Sequence, residues 1–500
     1  MSRFGEAAIF WTALSVSTGV LADECQSGDV QEVSIEVDTS KVIRADAPKE
    51  LFGFNLPWRD FQLGYFRAGT VRPELPEWLA PFKGASYRYP GGTPSNWFEW
   101  RKSVGPIAQR TVIHADFERY AVPAFGLAEF ADFVTAVKGR ALLTLNLVGP
   151  YKNVQSPEVV ATDTLEMLSY VKSQTSFGCV GGAGCSVMAW ELGNELDWAP
   201  FLWPATAYLK RAGAVVSAVS PVMPEVTWVA NGKTSPWDAR SANYASYNQT
   251  LASGMADKVQ GIAVHPYYDG ISVPSAAKYV ADYGKTWAAA RAGAKVFVTE
   301  HARWPAQPAN ARWESNWYQA TGLGGAISSV DFLLGILGNA QVASANWHAL
   351  GVEGPWQLIR WNKTNDSLYP SPVYWGLRTV REAYLEHVVQ TRYSQPAGAS
   401  YTGGYDLRLV GMSSASAQSA SVIGINRNAK PYKLRIVWTA GGRKAGGAVL
   451  RSISGLSESE DNTDAAPQRV IMKTSSKTLS MRSSSLWCVP GYAVFSIVEP

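Results

Sequence analysis

Between residues 51 and 347 the chain repeats one alternation eight times: a short run of β-forming residues, then a longer stretch with helical patterning. The runs are LFGFNL (51–56), ASYRYP (85–90), ALLTLNL (141–147), SVMAWELGNE (186–195), EVTWVAN (225–231), GIAVHPY (261–267), KVFVTEH (295–301) and QVASANW (341–347). Segments such as FGLAEFADFVTAVKG and ATDTLEMLSYVKSQ lie between them. Parallel strands need long crossovers, so this alternation predicts βα units and an α/β fold. Eight units predict a (β/α)8 TIM barrel, whose functional groups collect at the C-terminal ends of the strands. An open doubly wound sheet competes, but no GxGxxG follows an early strand.

After about residue 380 the pattern changes to alternating strands, YDLRLV, SVIGIN, YKLRIVW and YAVFSIV, separated by Ser-, Gly- and Ala-rich turns. That predicts an antiparallel β-sandwich. Before the barrel, VSIEVDTSKV alternates at Val33, Ile35 and Val37 and is expected to join it. Five hundred residues exceed one core, and the expected division is 23–45 (early strand), 46–380 (barrel) and 381–500 (sandwich).

Residues 1–22 read as an export signal: Arg3 precedes an apolar stretch from Ala7 to Ala22 that ends in Val20-Leu21-Ala22. Secretion is therefore expected. No unbroken run of about 20 apolar residues exists to span a membrane. Export permits disulfides, and the four cysteines allow three pairings. Cys179–Cys185 across GCVGGAGC and Cys25–Cys488 are favoured, because an early strand in the sandwich brings Cys25 towards Cys488. Sequons at Asn248, Asn362 and Asn365 fit the same reading.

The net charge of +4 and the absence of a Lys/Arg run argue against a nucleic-acid partner. Twenty Trp and 22 Tyr are many. Most belong in a core, but flat apolar faces with polar tips also suit a cleft for carbohydrate.

Two acids fall at predicted strand ends: Glu195 closes the fourth run and Glu300 the seventh. Across a barrel mouth their carboxyl groups can approach to about 5 Å, the spacing of a nucleophile and an acid/base that cleave a glycosidic bond with retention. Glu191 lies four residues from Glu195, about 13 Å at strand rise, too far to be its partner. It is expected to be a buried, paired charge below the site, and Asp197 a solvated loop residue. A nucleophile needs a cation and donors, and Arg88 and Tyr267 are the candidates to serve Glu300. His265, His301 and His348 also fall at strand ends. They could form a zinc triad, but no HExxH spacing or Cys cluster supports it, so neither metal nor cofactor is expected. Trp58, Trp97, Trp100 and Trp304 follow strand ends as candidate pocket walls.

Asn194-Glu195 on the fourth strand and Glu300 on the seventh resemble the clan A glycoside hydrolases, which are retaining (β/α)8 enzymes. The resemblance implies Glu195 as acid/base, Glu300 as nucleophile and Asn194 as partner of the sugar 2-hydroxyl. Within the clan, RYPGGTPSNWFEWRKSVGPIAQR (88–110) and the His265…Tyr267 pair are similar to family 51 α-L-arabinofuranosidases. Family 79 β-glucuronidases are the alternative, through SSVDFLLGILGNAQVASANWH, and a non-catalytic carbohydrate-binding barrel is a third reading. The chain departs from family 51 at Asn55, where the family has Glu, at Thr93, where it has Asn, and at Asn346 and His348 on the eighth strand. His301-Ala302 also replaces the Trp-Asn that follows the family's nucleophile. These departures put the sugar, rather than the reaction, in question.

Overall fold

The computed structural model describes residues 25, 30–116, 119–179, 185–233, 244–269, 272–396, 405–440, 444–481 and 483–500. The proposed export signal at 1–22 lies outside them.

Eight parallel strands, Gly53–Asn55, Ser86–Tyr89, Arg140–Thr144, Val187–Leu192, Trp228–Asn231, Gly261–Val264, Lys295–Arg303 and Val342–His348, hydrogen-bond in sequence order. One further pairing, the eighth strand back to the first, closes the ring. All eight lie within the runs expected to be strands or extend them by one or two residues, and helices such as Leu127–Ala136 and Pro157–Ser173 cross between them.

Both faces of these strands are covered, so their residues are almost all buried. Alternation then sorts them. Leu142, Ala189, Val229, Ala263 and Phe297 form an apolar plug of their own. Their neighbours Leu143, Trp190, Ala230, Val264 and Val298 belong to the larger core shared with the helices. Two residues beyond each plug residue, the strand period returns to the lumen and presents Thr144, Glu191, Asn231, His265 and Thr299 as a polar layer.

The pairing of the seventh strand with the eighth is irregular twice: Val296 and Phe297 face Val342 and Ser344, one step against two, and the second shift is the reverse. Val298 pairs with Ala345 and His301 with Trp347, so three steps on the seventh strand match two on the eighth. The extra residue lets consecutive Thr299 and Glu300 both serve the lumen, as a bulge re-aims a strand.

The second domain is a nine-stranded sheet completed by the early strand Glu32–Arg44, which pairs antiparallel with His387–Tyr393 and parallel with Tyr432–Trp438. Leu450 and Trp487, far apart in the strand order, share one core, which requires the sheet to curl. Strand Ala420–Asn426 is buried at every position: Val422 faces that core, whereas Ile423 and Ile425 join the barrel's. Cys25 is bonded to Cys488 and Cys179 to Cys185. Among the described residues, no single helix is long and apolar enough to cross a membrane.

Candidate active site

Arg88 organises the mouth of the barrel. The alternation SYRY sends Tyr87 and Tyr89 outwards into the core and Arg88 into the lumen, where it is fully buried. Its fork reaches four groups: Nε donates to Glu191 at 2.5 Å, Nη1 to Glu300 at 2.7 Å and to Asn55 Oδ1 at 3.3 Å, and Nη2 to Asn194 Oδ1 at 2.7 Å. A planar guanidinium can hold several acceptors in fixed directions, as an ammonium could not. Directly after Arg88, RYPGG turns sharply through Gly91 at φ +70°, where a Cβ would lie 2.4 Å from Asn55 Oδ1.

Glu300 is nearly buried. Besides Arg88, Asn55 Nδ2 donates to its Oε1 at 3.2 Å and the Tyr267 hydroxyl donates to its Oε2 at 2.7 Å. Burial pulls its pKa up, but His348, His265 and Arg88, with the Tyr267 hydrogen bond, hold it below the usual carboxylate range. Glu195 is moved the other way. Burial raises it, and the charges of Glu300 and Asp197 add to the rise against the opposing pull of His265. One oxygen of Glu195 and one of Glu300 lie within 4.8 Å of each other, with a His265 nitrogen inside the same distance.

Glu195 sits at φ +47°, left-handed backbone that costs a non-glycine residue energy. Its N–H donates to Asn231 Oδ1 at 2.8 Å, and its carbonyl accepts from Trp198 N–H at 2.9 Å. The preceding Asn194 is clamped both ways by Asn96, which accepts from its N–H at 3.1 Å and donates to its carbonyl at 2.7 Å. With Oδ1 bound to Arg88, Asn194 keeps a buried Nδ2 that has no partner among the described residues.

His265 joins the acids. Its Nδ1 lies 2.7 Å from Glu195 Oε1 and its Nε2 2.9 Å from Thr299 Oγ1. Burial disfavours its proton, but Glu300, Glu191 and Glu195 outweigh that and raise it to about 10. Glu191 is fully buried beneath, accepting from Arg88, Thr144 and Thr299, with Asn231 Nδ2 at 3.3 Å. Against the cost of burial, Arg88 and His265 lower it to about 2. Of the three acids, Glu195 is thus the one whose pKa is raised, while Glu191 and Glu300 are lowered. His348 Nδ1 lies 2.7 Å from Asn55 Nδ2 and must accept there. Burial, joined by the Arg88 and His265 charges, lowers its pKa against the pull of Glu300.

These groups open into a cavity of about 840 Å³ walled by Trp97, Tyr151, Trp198, Trp304 and Trp356. Of the expected site residues, Glu195, Glu300, Tyr267, Trp304 and His348 line it. Asn55, Arg88, Asn194 and His265 stand directly behind the acids.

Five residues depart from expectation. Asp197 is buried rather than solvated, because Lys233, two residues past the fifth strand, reaches it with Nζ at 3.1 Å. His301 points to Tyr268 and Phe332 instead of the mouth, since the extra residue in its strand turns it outwards. Trp58 is buried against Phe98, and Trp100 packs on Tyr170 away from the pocket. The sequon residue Asn248 is buried and accepts from Lys233 N–H. Asn96, Asn231, Thr299 and Trp356 were not singled out in the sequence. For Asn231 a signal existed, since it ends the fifth run as Glu195 ends the fourth.

Glu195, His265 and Glu300 are also the described trio whose donor atoms could approach a metal. In this structure a hydrogen bond already joins His265 to Glu195, and the tyrosine and arginine occupy Glu300.

A family model described as the alpha-L-arabinofuranosidase 1 domain matches residues 78–260. An intracellular exo-alpha-(1->5)-L-arabinofuranosidase of Streptomyces lividans is 24% identical over 40% of this chain. One of the same description from Halalkalibacterium halodurans is 24% identical over 36%. The matches span 30% and 36% of those relatives' own lengths, about a third. The crystal structure of an α-L-arabinofuranosidase from Thermotoga maritima in complex with arabinose has a TM-score of 0.77 and 17% identity, covering 94% of this chain and all of that one. The expectation of secretion is withdrawn: two curated relatives are named as intracellular enzymes, and the disulfides do not by themselves fix a compartment. The family model and the curated relatives thus make this chain similar to the α-L-arabinofuranosidases over part of its length, and the solved structure shares its fold.

Proposed function

We propose that this chain hydrolyses α-L-arabinofuranosides with retention of configuration. The observation that carries the reading is the pair of carboxyl groups within 4.8 Å whose pKa values are driven apart, Glu300 downwards and Glu195 upwards. Two carboxyls at roughly 5–5.5 Å suit double displacement, whereas inversion needs roughly 6.5–9.5 Å to admit water.

In the first step Glu300 attacks the anomeric carbon as Glu195 gives its proton to the departing oxygen. The glycosyl–oxygen bond breaks and an ester to Glu300 forms. In the second step Glu195, now ionised, takes a proton from water, whose oxygen displaces Glu300. Arg88, Asn55 and Tyr267 hold Glu300 ionised and oriented, and the unpartnered Asn194 Nδ2 is placed to donate to a sugar hydroxyl. Both arginines on the pocket wall, Arg59 and Arg119, are engaged by Glu353, which favours an uncharged sugar over a uronic acid.

The test is release of 4-nitrophenol from the α-L-arabinofuranoside, the β-D-glucuronide and the β-D-xyloside, with Glu300→Gln alongside. Hydrolysis of the arabinofuranoside, lost in the variant, supports the proposal. Preference for the glucuronide, or full activity in the variant, overturns it.

A further inference from the structure

Tyr267 and Glu300 belong to neighbouring segments that stay paired beyond them. The short strand Tyr267–Tyr268 runs beside Ala302 and Arg303, and Trp304 N–H donates to the Tyr268 carbonyl at 2.9 Å. The next residue, Asp269, has left-handed backbone at φ +69°, which persists in a non-glycine residue only where its surroundings hold it. Arg303 Nε stands 2.5 Å from Asp269 Oδ2. This ion pair therefore ties a residue two places past the hydroxyl donor to one three places past its acceptor. The Arg303 carbonyl also accepts from Trp356 Nε1 at 2.9 Å, which fixes a pocket wall.

The pair is held in turn from the other domain. Ser328, on helix Leu323–Leu337, donates to Asp269 Oδ2 at 2.9 Å. It accepts at 3.0 Å from Nη1 of Arg427, the residue after sheet strand Ala420–Asn426. Arg427 Nη2 donates to the buried Asp331, which also pairs with Arg408. Arg303 Nη1 lies 3.7 Å from Oε2 of Glu458, in the link between sheet strands Gly446–Ser454 and Lys473–Leu479. Gly324 leaves room for that approach: a Cβ there would lie 2.5 Å from Arg303 Nη1 and 3.1 Å from Glu458 Cβ. The side chains of Arg303 and Asp269 are only 16% and 10% exposed, so salt screens their pairing little. Neither lines the cavity, and any effect on the reaction is indirect.

We propose that Arg303 and Asp269 are positioning residues: their ion pair, fixed from the sheet domain by Arg427 and Glu458, sets the Tyr267 hydroxyl against Glu300. The inference rests on the glycosidase reading for the role of Glu300 and adds a dependence of the site on the second domain. A misplacement of about 1 Å in a group of this kind can cost on the order of a hundredfold in rate.

The test follows Glu300 itself, by NMR titration of protein carrying carboxyl-labelled glutamate, with the signal assigned by its loss in Glu300→Gln. Arg303→Met and Asp269→Asn change the local charge in opposite senses. Acting through position, both should raise the Glu300 pKa, by roughly half or more of the rise in Tyr267→Phe. Combined with Tyr267→Phe, neither should add to it. Gly324→Ala keeps every charge, suits a helix, and pushes Arg303 aside, so it should shift Glu300 the same way. It decides alone if a charge variant fails to fold. Opposite shifts from Arg303→Met and Asp269→Asn, shifts that persist beside Tyr267→Phe, or no shift in any variant overturn the proposal. On the aryl arabinofuranoside, kcat/KM should fall roughly five- to twentyfold in each single variant, again without addition to Tyr267→Phe. If unaltered protein leaves that substrate intact, the glycosidase reading fails, whereas the titration still decides the positioning.

Discussion

The Tyr267 hydroxyl donates to Glu300 Oε2 at 2.7 Å, so the proposed nucleophile loses a charge-assisted donor if that ring becomes phenylalanine. A hydrogen bond to a charged group contributes about 1.5–3 kcal/mol, so Tyr267→Phe should lower kcat/KM roughly ten- to a hundredfold. It should also move the acid limb of the pH profile upwards, because a donor to the ionised form has been removed. An unchanged acid limb would separate Tyr267 from the ionisation of Glu300.

Wild-type activity should follow a bell in pH. Glu300 must be ionised, and its pKa is held below the usual carboxylate range, so the acid limb falls below that range. Glu195 must carry a proton, and its pKa is raised, so the alkaline limb lies above the ordinary value near 4.3. The kcat/KM profile from pH 3 to 9 checks both limbs.

Replacing Glu195 with Ala removes the proton donor and should cost about 10²–10⁴ in kcat on substrates with poor leaving groups. Substrates such as the 2,4-dinitrophenyl glycoside, which need no protonation, should lose far less in glycosylation. Equal loss on both would assign Glu195 another task.

Glu191 tests the layer beneath. Its pKa lies at about 2 in the fold, against about 4.3 for a free glutamate, so its ionised form stabilises the native state. That contribution, on the order of 3 kcal/mol, is present above pH 4.3 and is lost as pH falls towards 2. Glu191→Ala leaves Arg88 with one fewer buried anion and should destabilise the fold by about 3–5 kcal/mol, as read from urea denaturation at pH 7.

The trio of Glu195, His265 and Glu300 invites a metal-dependent reading, which dialysis settles. Activity after EDTA, and after added Zn²⁺ or Ca²⁺, should equal that of untreated protein. Loss on chelation with recovery on one ion would replace the double-displacement proposal with a metal-assisted one.

The eight barrel strands were legible because a parallel sheet covered on both faces demands apolar runs, and runs of that length between helical stretches have few other uses. The acids were legible because a charge at a strand's C-terminal end faces a mouth rather than a core. What escaped notice was carried by single polar residues without spacing: Asn96 and Asn231, whose partners lie on other strands, and Lys233, whose reach to Asp197 turned an apparent surface acid into a buried pair. His301 was misplaced because strand alternation was assumed to continue through a position where the backbone gains a residue. Trp356 follows the eighth strand, in a loop whose path depends on the barrel already being closed.

That gained residue between Val298 and His301 makes the placement of Glu300 a matter of chain length more than of side-chain identity. Point substitutions in this strand would leave that spacing unchanged. Deleting Thr299 should instead draw Glu300 one storey down, towards Glu191 and out of reach of the Tyr267 hydroxyl, and leave the mouth without its proposed nucleophile. Insertions and deletions in this strand therefore form a separate axis of variation, along which a barrel of this kind can lose its chemistry without losing its shape.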